Sequence, residues 1–135
     1  MINPWFIKSI IKASGSASSG GQIPLVKART LSITVRMTFG SSIDADATVY
    51  LYYSPDGKHL DTIAYTSFDV TYSAGNTVQR TVVIDPPEHG YMSLKIVNNS
   101  SADSITDVKV WYSIQSYRDR IELVRGAITK DTGEE

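Results

Sequence analysis

The 135-residue sequence contains no cysteine. That absence excludes disulfides, thiolate nucleophiles and cysteine-based zinc sites together. Histidine is nearly missing as well: His59 and His89 are the only two, and both stand beside turn residues. A serine hydrolase needs a base oriented by a carboxylate and aimed at an activated serine. No serine here stands in a G-x-S-x-G setting. An excess of either charge is also lacking. The 13 basic and 14 acidic residues leave a net charge of −1, so no broad field draws in nucleic acid or an anionic membrane. No apolar run approaches the roughly 20 residues that span a bilayer. Near the start, Lys8 and Lys12 interrupt the unbroken stretch of about 7–15 apolar residues that a signal peptide requires. These absences lead to the expectation of a cytoplasmic product that is not an enzyme, holds no cofactor or metal, and binds neither nucleic acid nor membrane.

What is present fits one domain. A chain of this length buries roughly two-thirds of its unfolded surface and needs no covalent staple. Composition divides it into three zones. Residues 1–22 read as an N-terminal arm, with Trp5, Phe6, Ile7, Ile10 and Ile11, followed by a Gly/Ser-rich linker over 14–22 that has no side chain able to fill a core. Residues 23–117 read as strands and turns. Residues 118–135 form a charged C-terminal tail that also carries Ile121, Leu123, Val124 and Ile128.

The clearest strand runs from Arg29 to Phe39. Leu31, Ile33, Val35, Met37 and Phe39 alternate with polar residues, which gives one core face and one wet face. Further strands are predicted over Thr48–Ser54, Thr62–Val70, Thr77–Ile84, Tyr91–Val97 and Ile105–Tyr117. Ser54-Pro55-Asp56-Gly57 and Ser73-Ala74-Gly75-Asn76 supply turn chemistry between them, and Pro86-Pro87 breaks the chain. The pattern predicts an all-β fold: an antiparallel β-sandwich of six to eight strands, jelly-roll or immunoglobulin-like, with an extended N-terminal arm. Its inward set includes Leu31, Ile33, Val35, Leu51, Val82, Ile84, Leu94, Ile96, Val108 and Val110.

Several residue groups have types suited to chemistry. Asp44, Asp46, Asp56 and Asp61 could meet at one end of a sandwich as calcium ligands, but turn chemistry accounts for them better. Asn98 and Asn99 each begin a glycosylation sequon. Tyr50, Tyr52, Tyr53, Tyr65, Phe68 and Tyr72 crowd one stretch. Tyrosine suits strands, protein interfaces and sugar stacking alike. Trp111 falls on the face that alternation assigns to solvent, so the arm, the tail or a neighbouring molecule has to cover it.

The run Val49 to Lys58, with its Tyr-Ser-Pro-Asp-Gly turn, followed by Asp61-Thr62, resembles a hairpin of small β-sandwich proteins of tailed phages and prophages. Asp107-Val108-Lys109-Val110-Trp111-Tyr112 is similar to their closing strand. The resemblance implies a decoration, head or tail subunit. The hairpin also resembles one in carbohydrate-binding sandwiches, where it marks the fold and not the sugar site.

Two functions are therefore expected in order. The first is a virion structural protein, made in the host cytoplasm. It would form a cyclic homo-oligomer, by preference a trimer, and dock on a capsid or tail protein through Trp5, Phe6, Ile7, Ile10, Ile11 and Trp111. The second is a carbohydrate-binding module or adhesin domain that holds a glycan on Tyr52 and Tyr65.

Overall fold

The computed structural model describes residues 2–116. The tail over 118–135 lies outside the described residues. Nine strands follow one another: β1 (Asn3–Ile11), β2 (Ser16–Ser18), β3 (Ile23–Val26), β4 (Ala28–Phe39), β5 (Ala47–Ser54), β6 (Thr66–Val70), β7 (Thr77–Ile84), β8 (His89–Asn98) and β9 (Ile105–Ser116). One sheet has the order β1-β9-β4-β7. The other has the order β2-β8-β5-β6, with β3 also paired to β8. Every pairing is antiparallel. The fold is an all-β sandwich, with nine strands among the described residues where the sequence pattern predicts six to eight.

Alternation sets the core. Leu31, Ile33, Val35, Met37 and Phe39 of β4 meet Val49 and Leu51 of β5 and Met92, Leu94 and Ile96 of β8. Ile105, Val108 and Val110 of β9 complete the buried layer. Ile105 and Val108 are three residues apart and still share one face. A register shift opposite Arg36 and Thr38 inserts one extra residue in β9, a β-bulge, and Asp107 takes a positive φ of 52° there, the left-handed conformation of the G1 type. Val82 departs from the expected inward set. It pairs with the buried Ile33, but β7 is an edge strand, so Val82 and Ile84 are only half-buried.

The N-terminal segment is the main correction. It is not an extended arm on a free linker. Residues Asn3 to Ile11 are β1 and pair with β9 along its length. Ile11 is buried, and Trp5 and Phe6 pack half-buried against the core. The Gly/Ser stretch is held as well. Ser16–Ser18 pairs with β8, the Ser19 amide donates to the Leu94 carbonyl, the Ser14 amide donates to the Ser100 carbonyl, and the Asn98 amide donates to the Gly15 carbonyl. The physical reason is that main-chain groups do most of the pairing there, helped by the Ser19 hydroxyl, which accepts the Leu94 amide at 3.0 Å.

Both edges of the β1-β9-β4-β7 sheet carry a basic residue at a core-facing register position. Arg80 of β7 stands opposite Val35, and Lys8 of β1 stands opposite Val108. Arg80 donates to the Asp69 carbonyl and stacks over the Phe68 ring, 5.6 Å from its centroid, which closes the seam between β6 and β7. A charge that points inward on an edge strand blocks pairing with another chain's strand.

Candidate functional site

The outer face of the β1-β9-β4-β7 sheet follows directly from the pleat. Successive side chains alternate, so the residues between the core positions point out. Cross-strand register places Pro4, Trp111, Thr34 and Thr81 in one row. The next row holds Ile7, Lys109, Arg36 and Gln79. Ile2, Thr34, Gln79, Thr81 and Trp111 line an open groove of about 470 Å³. The hydroxyls of Thr34 and Thr81 lie 2.9 Å apart. Arg36 donates to the Gln79 side-chain oxygen at 3.4 Å, and Lys109 sits 3.9 Å from the Asp107 carboxylate. Trp111 is on the expected outer face and is half-buried. Sequence reading singled out the indole and missed Arg36, Lys109, Thr34, Gln79 and Thr81. The same alternation that placed Trp111 also places them.

The predicted docking residues separate into two groups. Trp5, Phe6 and Ile11 are used internally: Trp5 stacks edge-on against Tyr112 with centroids 5.7 Å apart, and its indole N–H donates to the Gly21 carbonyl at 3.4 Å. Ile7 and Ile10 are free, with Ile7 71% exposed. With Ile2, 70% exposed, they give β1 an apolar flank beside Trp111.

Tyr52 and Tyr65 do not form a shared ring platform. Tyr52 is half-buried on the outer side of the other sheet, where its ring lies 6.4 Å from that of Tyr50. Tyr65 precedes β6 and donates its hydroxyl to the Asp85 carbonyl at 2.7 Å. Tyr53 is structural. It donates to the His89 carbonyl at 2.6 Å and lies on Gly90, where an added Cβ would stand 2.4 Å from the phenol oxygen.

The four aspartates do not converge. Asp44 accepts from the Ser100 hydroxyl and Asp46 from the Tyr72 amide, both before β5. Asp56 and Asp61 lie beyond its other end. Eight strand residues span roughly 26 Å. Among the described residues no group of three or more metal-ligating side chains exists. Asn98, the first sequon asparagine, is fully buried.

Asp56 organises the turn after β5. It accepts the Lys58 and His59 amides and faces the His59 ring at 2.6 Å. The His59 side chain, with those two amides, holds the Asp56 carboxyl far below the usual range. The same hydrogen bond, reinforced by the carboxylate's charge, raises His59 above its ordinary 6.5. The raised histidine stabilises below its ordinary value and loses that effect as pH rises through its folded value. The lowered aspartate stabilises above its ordinary 3.8 and loses that effect as pH falls through its folded value. Both contributions are complete between those two ordinary values. The pair is solvent-exposed, so its effect on stability is small. Asp56→Asn is expected to return the His59 titration, followed by NMR, toward 6.5. An unchanged midpoint would show that the pair does not form.

No family model and no curated protein matches the chain. Solved structures show its fold. It is similar to the PBSX exported protein XepA, at 13% identity and a TM-score of 0.56, over 86% of this chain and 37% of that one. It is similar to the enzymatically active domain of bacteriophage CBA120 tailspike protein 4, at 15% identity and a TM-score of 0.54, over 82% of this chain. It spans only 15% of that tailspike chain. It is also similar to the K1 cleaved adhesin domain of Lys-gingipain from Porphyromonas gingivalis W83, at 13% identity and a TM-score of 0.54, over 79% of this chain and 73% of that one. At these identities the likeness establishes a β-sandwich.

Proposed function

We propose that this chain is a structural subunit of a virus or phage particle, with no catalytic step of its own. It works by packing against further copies of itself and against a capsid or tail protein. The observation that carries this reading is the flank of β1, where Ile2, Ile7 and Ile10 stay exposed outside the buried core of the described residues. Isoleucines left exposed along one strand in this way suit a contact surface. Inward-register Lys8 and Arg80 disfavour strand addition at the sheet edges, so the contact uses side-chain packing and not a shared sheet. The fold neighbour from a phage tailspike is in keeping with this reading.

Particles purified from a culture that produces the chain provide the test. Mass spectrometry should find the chain at a fixed ratio to the major shell or tail protein. The Ile7→Asp/Ile10→Asp variant should fold normally and be lost from the particles. A chain absent from purified particles would end the structural reading.

A further inference from the structure

We infer that the groove centred on Trp111 is a binding site for an acidic sugar, a pyranose that carries a carboxylate. The inference goes beyond the structural role and shares only Ile2 with the β1 flank.

The first observation is a pair of like charges. Arg36 and Lys109 stand directly opposite each other on neighbouring central strands, an arrangement that destabilises a sheet. The outward register positions of β4, β7 and β9 around them hold no carboxylate: Ser32, Thr34 and Thr38 on β4, Gln79, Thr81 and Val83 on β7, Trp111 and Ser113 on β9. Among the described residues only Asp107, at the bulge, approaches Lys109, and it does so at 3.9 Å. Two cations side by side on an exposed sheet face are suited to an anion.

The second observation is what adjoins them. Trp111 is the next outward residue of β9 after Lys109, one pleat repeat of roughly 6.8 Å along the strand. Its indole is half-buried in an open groove whose other walls are an isoleucine, two threonines and a glutamine. An indole offers an apolar plane for the C–H face of a pyranose. The Thr34 and Thr81 hydroxyls and the Gln79 amide offer donors and acceptors for ring hydroxyls. A sugar stacked on Trp111 therefore has its hydroxyls over β4 and β7 and its carboxylate toward Arg36 and Lys109. The wall is too polar for the core of a tight protein interface, whose centre is apolar. Two cations are too few for the continuous basic track that single-stranded nucleic acid needs.

The test is a titration of the full chain followed by NMR, in which the indole N–H signals of Trp111 and Trp5 report separately. Four probes are added in turn: tri-galacturonic acid, 3′-sialyllactose, neutral maltotriose and a 20-residue oligo-dT. The two acidic sugars distinguish a uronic from a neuraminic acid source. At least one of them should shift the Trp111 indole and leave the Trp5 indole in place, with an affinity at least tenfold above that of maltotriose. Trp111→Ala should weaken that binding tenfold or more. Arg36→Gln/Lys109→Gln, which retains the indole, should bring the acidic sugar down to the level of the neutral one. Ile7→Ser/Ile10→Ser, which shortens the same apolar flank without placing a carboxylate opposite Lys109, should bind sugar normally, so a failure of assembly and a failure of sugar binding are separable. Equal binding of neutral and acidic sugar, tighter binding of oligo-dT, or no shift of Trp111 with any probe would each overturn the assignment.

Discussion

Removing residues 2–12 is expected to unfold the domain. β1 is a full strand of the β1-β9-β4-β7 sheet, not an appendage. Its loss strips β9 of one of its two pairing partners and uncovers the edge that carries Ile105, Val108 and Val110, all of which are buried in the intact chain. It also removes the buried Ile11 and the half-buried Trp5 and Phe6. At roughly 1.5–3 kcal/mol for each fully buried large side chain, the side chains alone contribute about 5 kcal/mol. That is comparable to the whole stability of a typical domain, about 5–15 kcal/mol. Urea unfolding followed by circular dichroism should show no cooperative transition in the truncated chain. A cooperative transition with an unchanged midpoint would mean that β1 contributes nothing to the fold.

Asn98→Ala is expected to cost about 3–4 kcal/mol, from the loss of several hydrogen bonds at a site closed to water. The side chain is fully buried. Its amide donates to the carbonyls of Ile11 at 3.3 Å, Lys12 at 3.2 Å and Asp103 at 2.9 Å, and its oxygen accepts the Ser100 amide at 3.0 Å. One residue therefore ties the end of β1, the end of β8 and the loop before β9 together. Thermal unfolding should fall by more than about 10 °C. Asn99→Ala removes bonds to the Asp46 carbonyl and the Thr48 hydroxyl from an exposed position and should cost about 1 kcal/mol or less. Equal losses at the two positions would contradict the junction described for Asn98.

The contrast between those two neighbours shows what a linear reading reaches. Where a strand is central and one face is wet, as in β4 and β8, alternation identified both strand and core. β1 was harder to see. A register shift between Pro4 and Phe6 puts an extra residue at Trp5, and isoleucines occupy both its buried and its exposed positions, so no clean period survives. Ser16–Ser18 has almost no side-chain signal, because its pairing with β8 is made by the main chain. Asn98 looked like the start of a polar loop. Its burial depends on three segments that are distant in sequence. For the candidate surfaces, the outward placement of Trp111 was legible. The positions of Arg36 and Gln79 beside it depend on the order of strands in the sheet, which a single sequence does not encode locally.

The β1 flank as a contact surface is the central claim, and sedimentation velocity of the full chain tests it most directly. The wild-type chain at high concentration should sediment as an oligomer. Ile7→Asp/Ile10→Asp should sediment as a folded monomer, with association weakened about 100-fold, since excluding two isoleucines from a contact removes about 3 kcal/mol. A wild-type chain that stays monomeric at every concentration, or a variant that associates as strongly as the wild type, would contradict it.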